Sequence, residues 1–276
     1  MAGASLADIK RLRELTGAGM MDCKKAIEEA NGDMDKAIEL IRERGKAIAN
    51  KRADREASEG VVLAEKCDKC GRVAMLVLNC ETDFVAKNAD FIGLAKKILD
   101  AAVRVGIKDL EGLKQMKLEG HTAEEEVTNF SGVTGEKMEL SFFAVVEAPS
   151  VAFYIHPGNK LAAIVGFSKE LPNDTLGFEI AMQIAGMNPV AVDANSVPKE
   201  IRDREFEVGR EQARNEGKPE QLLDKIAEGR LQKFYKESTL MAQEFVQEGK
   251  ISVEQYIAKF DKDLKVTSFA RYGLND

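Results

Sequence analysis

Val73-Ala74-Met75-Leu76-Val77-Leu78-Asn79-Cys80-Glu81-Thr82-Asp83-Phe84-Val85-Ala86-Lys87-Asn88 connects two different apolar patterns. The run 73–78 is short and continuous, as in a buried strand. Beyond Asn88, the residues Phe91, Leu94, Ala95, Ile98, Leu99 and Ala102 recur at the spacing of one helix face. The polar segment between is therefore a strand-to-helix connection, a common place for binding groups. It sets an aromatic beside a carboxylate, Asp83-Phe84. Turned outward, Phe84 is an anchor for a pocket on another molecule. Turned inward, Phe84 and Val85 staple the loop to the following helix. Spacing alone leaves both readings open.

The 276 residues suffice for two or more units with a sizeable core. Charged residues make up 32% and hydrophobic ones 44%, a balance typical of soluble chains. A net charge of -7 argues against a dedicated nucleic-acid binder. No uncharged run reaches the length of a membrane span. Asp8, Lys10, Arg11, Arg13 and Glu14 interrupt any signal-like apolar stretch, and the acidic ones do not suit a transit peptide. A cytoplasmic location is expected. The four cysteines, Cys23, Cys67, Cys70 and Cys80, are too sparse for a disulfide-stapled secreted protein.

Residues 1–45 read as three short helices. Ser5, with Asp8 three positions on, caps the first, whose apolar side is Leu6, Ile9, Leu12 and Leu15. Thr16-Gly17-Ala18-Gly19 breaks it, and Asn31-Gly32 separates the second helix from the third. Met34, Ala37, Ile38 and Ile41 face inward from the third, which Gly45 is expected to stop. A basic-rich charged stretch follows, with residues 46–59 as a linker. Residues 60–137 hold a hairpin around Cys67 and Cys70, then the helix described above, then a polar part with weak helical pattern. Residues 138–197 repeat hairpin-then-helix, with strands at 139–147, 150–155 and 160–167 and a helix at 174–186. Over 198–236 two charged helices meet at Gly217-Lys218-Pro219, a projecting antiparallel hairpin striped by Leu222, Leu223, Ile226 and Phe234. Residues 237–276 form a C-terminal module with a helix near 253–260. The fold class is α+β.

The run 80–88 resembles the signature of the elongation factor Ts family. A second run agrees, Leu12-Arg13-Glu14-Leu15-Thr16-Gly17-Ala18-Gly19-Met20-Met21-Asp22-Cys23-Lys24-Lys25-Ala26, followed by Asn31-Gly32-Asp33. The similarity continues through His156 and Gly217-Lys218-Pro219 and covers nearly the whole chain. It implies a ubiquitin-associated-like N-terminal bundle, two related α+β subdomains, and a hairpin used for self-association or partner contact. It also implies guanine nucleotide exchange on elongation factor Tu. Lys10, Arg13, Met20 and Met21 would then dock on the partner's nucleotide domain, and His156 would meet it elsewhere. Thr82, Asp83, Phe84 and Val85 would wedge into the partner and dislodge magnesium, so that GDP leaves and GTP rebinds. A homodimer or a two-to-two complex is compatible with the family. Three departures stand out: Pro157 follows His156 where the family usually has glycine, the tail is short, and the Cys67/Cys70 pair lies outside the usual family pattern, so the resemblance gives it no role.

No phosphate-binding Gly-rich loop, zinc-protease motif or His-based triad is visible, so neither a cofactor nor an intrinsic nucleotide site is expected. His121 reads as a solvated side chain. Cys67-x-x-Cys70 lacks a second ligand pair for zinc and the helix N-terminus of a redox motif, which leaves a plain turn. The alternative to exchange is an adaptor that binds a partner without releasing its nucleotide. A thiol or zinc enzyme built on Cys67 and Cys70 is a further alternative.

Overall fold

The computed structural model describes residues 4–67 and 69–276. The chain opens with α1 (Leu6–Thr16), α2 (Met20–Glu29) and α3 (Met34–Lys51). Ile9, Leu12, Cys23, Ala26, Ile27 and Ala37 close their shared core. Leu6 and Leu15 do not join it; they are 63% and 59% exposed, because the other two helices cover only the Ile9/Leu12 side. Nor does α3 stop at Gly45: that residue is buried in mid-helix, and the helix runs on to Lys51. The first part of the expected linker, 46–51, is therefore helix.

Strands β1 (Glu59–Cys67) and β2 (Arg72–Cys80) form an antiparallel hairpin, followed by the one-turn helix α4 (Asp83–Ala86) and by α5 (Ala89–Val105). The polar stretch after α5, expected to be weakly helical, is ordered as α6 (Leu110–Gln115), a small β3 (Lys117–Leu118) and β4 (His121–Thr122) hairpin, and α7 (Ala123–Thr134). Its pattern was weak because the buried face of α7 is Ala123, Val127 and Ser131, small residues four apart. The Thr122/Glu125 capping box was the available signal.

The next strands are β5 (Met138–Glu147), β6 (Ser150–Ile155) and β7 (Leu161–Phe167), then α8 (Asp174–Met187), α9 (Lys199–Asn215), α10 (Leu223–Ser238), α11 (Val253–Ala258) and β8 (Val266–Gly273). Besides the β3–β4 hairpin, the described strands form two three-stranded sheets, ordered β1-β2-β5 and β6-β7-β8. The expected allocation changes here. The strand at 138–147 completes the first sheet, and the C-terminal strand completes the second.

The sheets lie face to face between helices. Val61 and Leu63 of β1 and Leu76 and Leu78 of β2 point toward α5, whose Phe91, Ala95 and Ile98 meet them. Their neighbours Val62, Ala64, Met75 and Val77 point the other way and pack on Ala162 and Ile164 of β7. This is the two-residue period of a strand covered on both faces. In β5 the period shifts across a bulge at Val77/Leu78, so that Leu140 and Phe143 reach the α5 side while Phe142 and Ala144 reach the other. On the far side of the second sheet, Leu176, Ile180 and Ile184 of α8 close a core with Val165, Phe167 and Phe245. The helical hairpin packs through Gly209 and Ala213 against Leu223, Ala227 and Leu231; Leu222 is exposed rather than part of the stripe.

Cys67 and Cys70 form a disulfide across the β1–β2 turn, which corrects the reading of a plain turn. Cys23 and Cys80 are free and buried. Among the described residues, no helix is long and apolar enough to cross a membrane.

Candidate functional site

The loop after β2 is held at several points. Thr82 is the N-cap of α4, its hydroxyl accepting from the Val85 amide at 3.4 Å. Glu136 binds Thr82 twice, accepting from its amide at 3.0 Å and its hydroxyl at 2.6 Å. Asn88 caps α5 by accepting from the Asp90 amide at 2.8 Å. Beneath the loop, the Cys80 thiol points at the Thr82 carbonyl, 3.2 Å away, and burial next to Glu136 pushes that thiol's pKa up to about 12.

Glu81 is the strongest brace. Its two oxygens take Arg52 Nη1 at 2.9 Å each, Arg55 at 3.1 Å and the Lys137 amide at 2.6 Å. Burial alone would raise its pKa. The Lys137 amide and the two guanidiniums outweigh burial and bring it down to about 2. A carboxyl depressed on folding stabilises the native state above its ordinary value of 4.5, and that stability is lost as pH falls through the folded value near 2. Urea midpoints taken from pH 5 down to pH 2 should therefore fall for the wild-type chain and fall less steeply for Glu81→Gln.

On this frame the loop's side chains divide. Val85 packs on the α5 core and Ala86 is buried, whereas Phe84 is 83% exposed. Asp83 is paired with Lys87 at 2.7 Å, one turn on, and this bond holds its carboxyl below the usual range. Successive residues of a helical turn point about 100° apart, so Val85 can turn inward while Phe84 turns out.

The other expected contact residues fall into two groups. Lys10, Arg13 and Met20 line a cleft of about 730 Å³ whose opposite wall includes Asn88, Asp90 and Phe130. The bundle surface and the loop thus share one depression. Met21 is outside that lining and 64% exposed. His156 lies on the β6–β7 turn, with Nδ1 2.9 Å from the Tyr154 hydroxyl. That turn is fastened to β1: the Asn159 carbonyl accepts from the Val62 amide at 2.7 Å, and Lys160 pairs with Glu59 at 2.8 Å. Glu59 pairs in register with Cys80, so the His156 turn and the Phe84 loop emerge from the same end of the first sheet. His121, expected to be solvated, is half-buried and lies 3.9 Å from Glu125.

The bracing residues Glu81, Glu136, Arg52, Arg55 and Lys137 escaped the sequence reading. Arg52 and Arg55 sat in a charged run that resembles any solvated surface, and Glu136 lies 54 positions from Thr82. Among the described residues, no three metal-binding side chains gather.

A family model described as elongation factor TS matches residues 81–276. The chain is 49% identical over 272 residues to elongation factor Ts of Porphyromonas gingivalis, covering 98% of each. It is 47% identical over 268 residues to that of Azobacteroides pseudotrichonymphae, 97% of each. With that of Christiangramia forsetii it shares 44% over 275 residues, 99% of this chain and 100% of the other. The chain therefore belongs to the elongation factor Ts family, a family of translation elongation factors.

Proposed function

We propose that this chain is the guanine nucleotide exchange factor of elongation factor Tu and acts in the cytoplasm, where translation takes place. The observation that carries this reading is Phe84, a large aromatic held in water on a loop tied down through Glu81, Thr82 and Asn88. Exposed aromatics on rigid supports are what partner pockets capture, because little conformational freedom remains to be lost on binding. Phe84 enters the partner, Asp83 orients it, and Thr82 and Val85 set the turn. Lys10, Arg13, Met20 and Met21 hold the nucleotide domain across the shared cleft, with the methionines as an adaptable apolar contact. His156 supports the contact from the neighbouring turn.

The work is done by differential binding. Insertion of Phe84 displaces magnesium, the GDP phosphates lose charge compensation, and the nucleotide leaves. No covalent step is needed, so the chain carries no catalytic residue in the enzymatic sense. By linkage, the factor by which GDP weakens binding of this chain equals the factor by which this chain weakens binding of GDP. Calorimetric titration into nucleotide-free and GDP-loaded elongation factor Tu checks this directly. The nucleotide-free form should bind more tightly, and GDP affinity should fall by the same ratio when the chain is present. Equal affinities for the two forms would contradict exchange and favour an adaptor.

A further inference from the structure

We propose that α3 is a strut that fixes the docking bundle relative to Phe84, resting on the Gly45–Gly132 crossing and locked at its end by Glu81. The proposal deepens the exchange reading, since it assumes that the bundle and Phe84 meet one partner. Three observations lead to it.

The first is the crossing. A Cβ built on Gly132 of α7 would stand 2.3 Å from the Gly45 Cα and 3.2 Å from its amide nitrogen. A Cβ on Gly45 would meet only ordinary contacts, 3.4 Å from the Gly132 Cα and 3.7 Å from the Asn129 and Thr128 carbonyls. Both glycines are inside helices, where glycine weakens the helix relative to alanine. Close approach of two backbones accounts for the pair. The second observation is the lock. Arg52 is the C-cap of α3, and its guanidinium takes both oxygens of Glu81, the residue just before Thr82-Asp83-Phe84. Arg55 adds to the pair, and Lys137 Nζ donates back to the Arg55 carbonyl at 3.0 Å. The third is a contact at the far end of the bundle, where the Gly17 position, the C-cap of α1, lies against Val133 of α7.

Because α3 is both the last helix of the bundle and the tether to the core, a shift at Gly45 moves Lys10, Arg13, Met20 and Met21 relative to Phe84. Held in register, two contact surfaces act as one; let loose, the second must find its target at an effective concentration set by the tether.

The test places spin labels at Lys25→Cys on α2 and Lys96→Cys on α5 and measures the distance between them by pulsed electron resonance. The native cysteines are buried or joined and do not compete for label. The parent should give one narrow distance. Gly45→Ala should keep it, Gly132→Ala should displace it, and Glu81→Gln should broaden it. A role in helix propensity alone would make the two glycine variants behave alike. In nucleotide release from elongation factor Tu, Gly132→Ala should raise the half-saturating concentration about tenfold, with the rate at saturation little changed.

An unchanged distance in both Gly132→Ala and Glu81→Gln overturns the strut, as does a broad distribution in the parent. Should Gly132→Ala fail to fold, Glu81→Gln and the parent distribution still decide. If the parent releases no nucleotide but keeps its narrow distance, the strut stands and the exchange reading fails.

Discussion

Phe84→Ala should cut the acceleration of GDP release on the order of thirtyfold or more. Truncating a central anchor residue typically costs at least about 2 kcal/mol of binding, and each 1.4 kcal/mol is tenfold. The fold should hardly notice. Phe84 is 83% exposed, and an exposed truncation usually changes stability by less than about 0.5 kcal/mol. Stopped-flow release from elongation factor Tu and a urea melt of the same preparation measure both. A stable variant with unimpaired exchange would remove Phe84 from the contact. A variant that unfolds would show that the ring supports the loop instead of the partner.

Phe91→Ala should do the reverse. This ring lies seven residues further on, is fully buried, and faces Phe130 at a centroid distance of 6.5 Å. Removing it leaves a cavity among Ala95, Ile98 and the strands of the first sheet, at a cost of about 3–5 kcal/mol. Against total stabilities of about 5–15 kcal/mol, that is a large share. The urea midpoint should fall accordingly, and exchange should fail only as the core opens. A loss under about 1 kcal/mol would mean that the site collapses around the gap far better than this packing suggests.

The contrast between the two phenylalanines shows what the sequence could and could not tell. Phe91 was legible because Ala95, Ile98, Leu99 and Ala102 repeat its face at helical spacing. Phe84 was ambiguous because it belongs to a single turn, too short for a period. Its direction is set by the Thr82 cap and by Glu136, a partner supplied by a distant segment. Hairpin-then-helix could be read from local pattern at 60–102 and at 150–186, and both are present, as β1–β2 with α5 and β6–β7 with α8. The third strand of each sheet could not, since β5 crosses back to β2 and β8 comes from the tail, and alternation does not name a strand's neighbour. Gly45 misled for a related reason. As a helix stop it is the local default, and only the backbone of α7 beside it explains a glycine in the middle of α3.

As an exchange factor, this chain should speed nucleotide loss from elongation factor Tu without being consumed. The measurement is the loss of a fluorescent GDP analogue from loaded elongation factor Tu during a chase with unlabelled nucleotide, with the chain added at well below one equivalent. Release of the whole loaded population should speed up in proportion to the chain added, because an exchange factor is ejected and used again. Release at the spontaneous rate, with the chain bound or not, would rule out exchange.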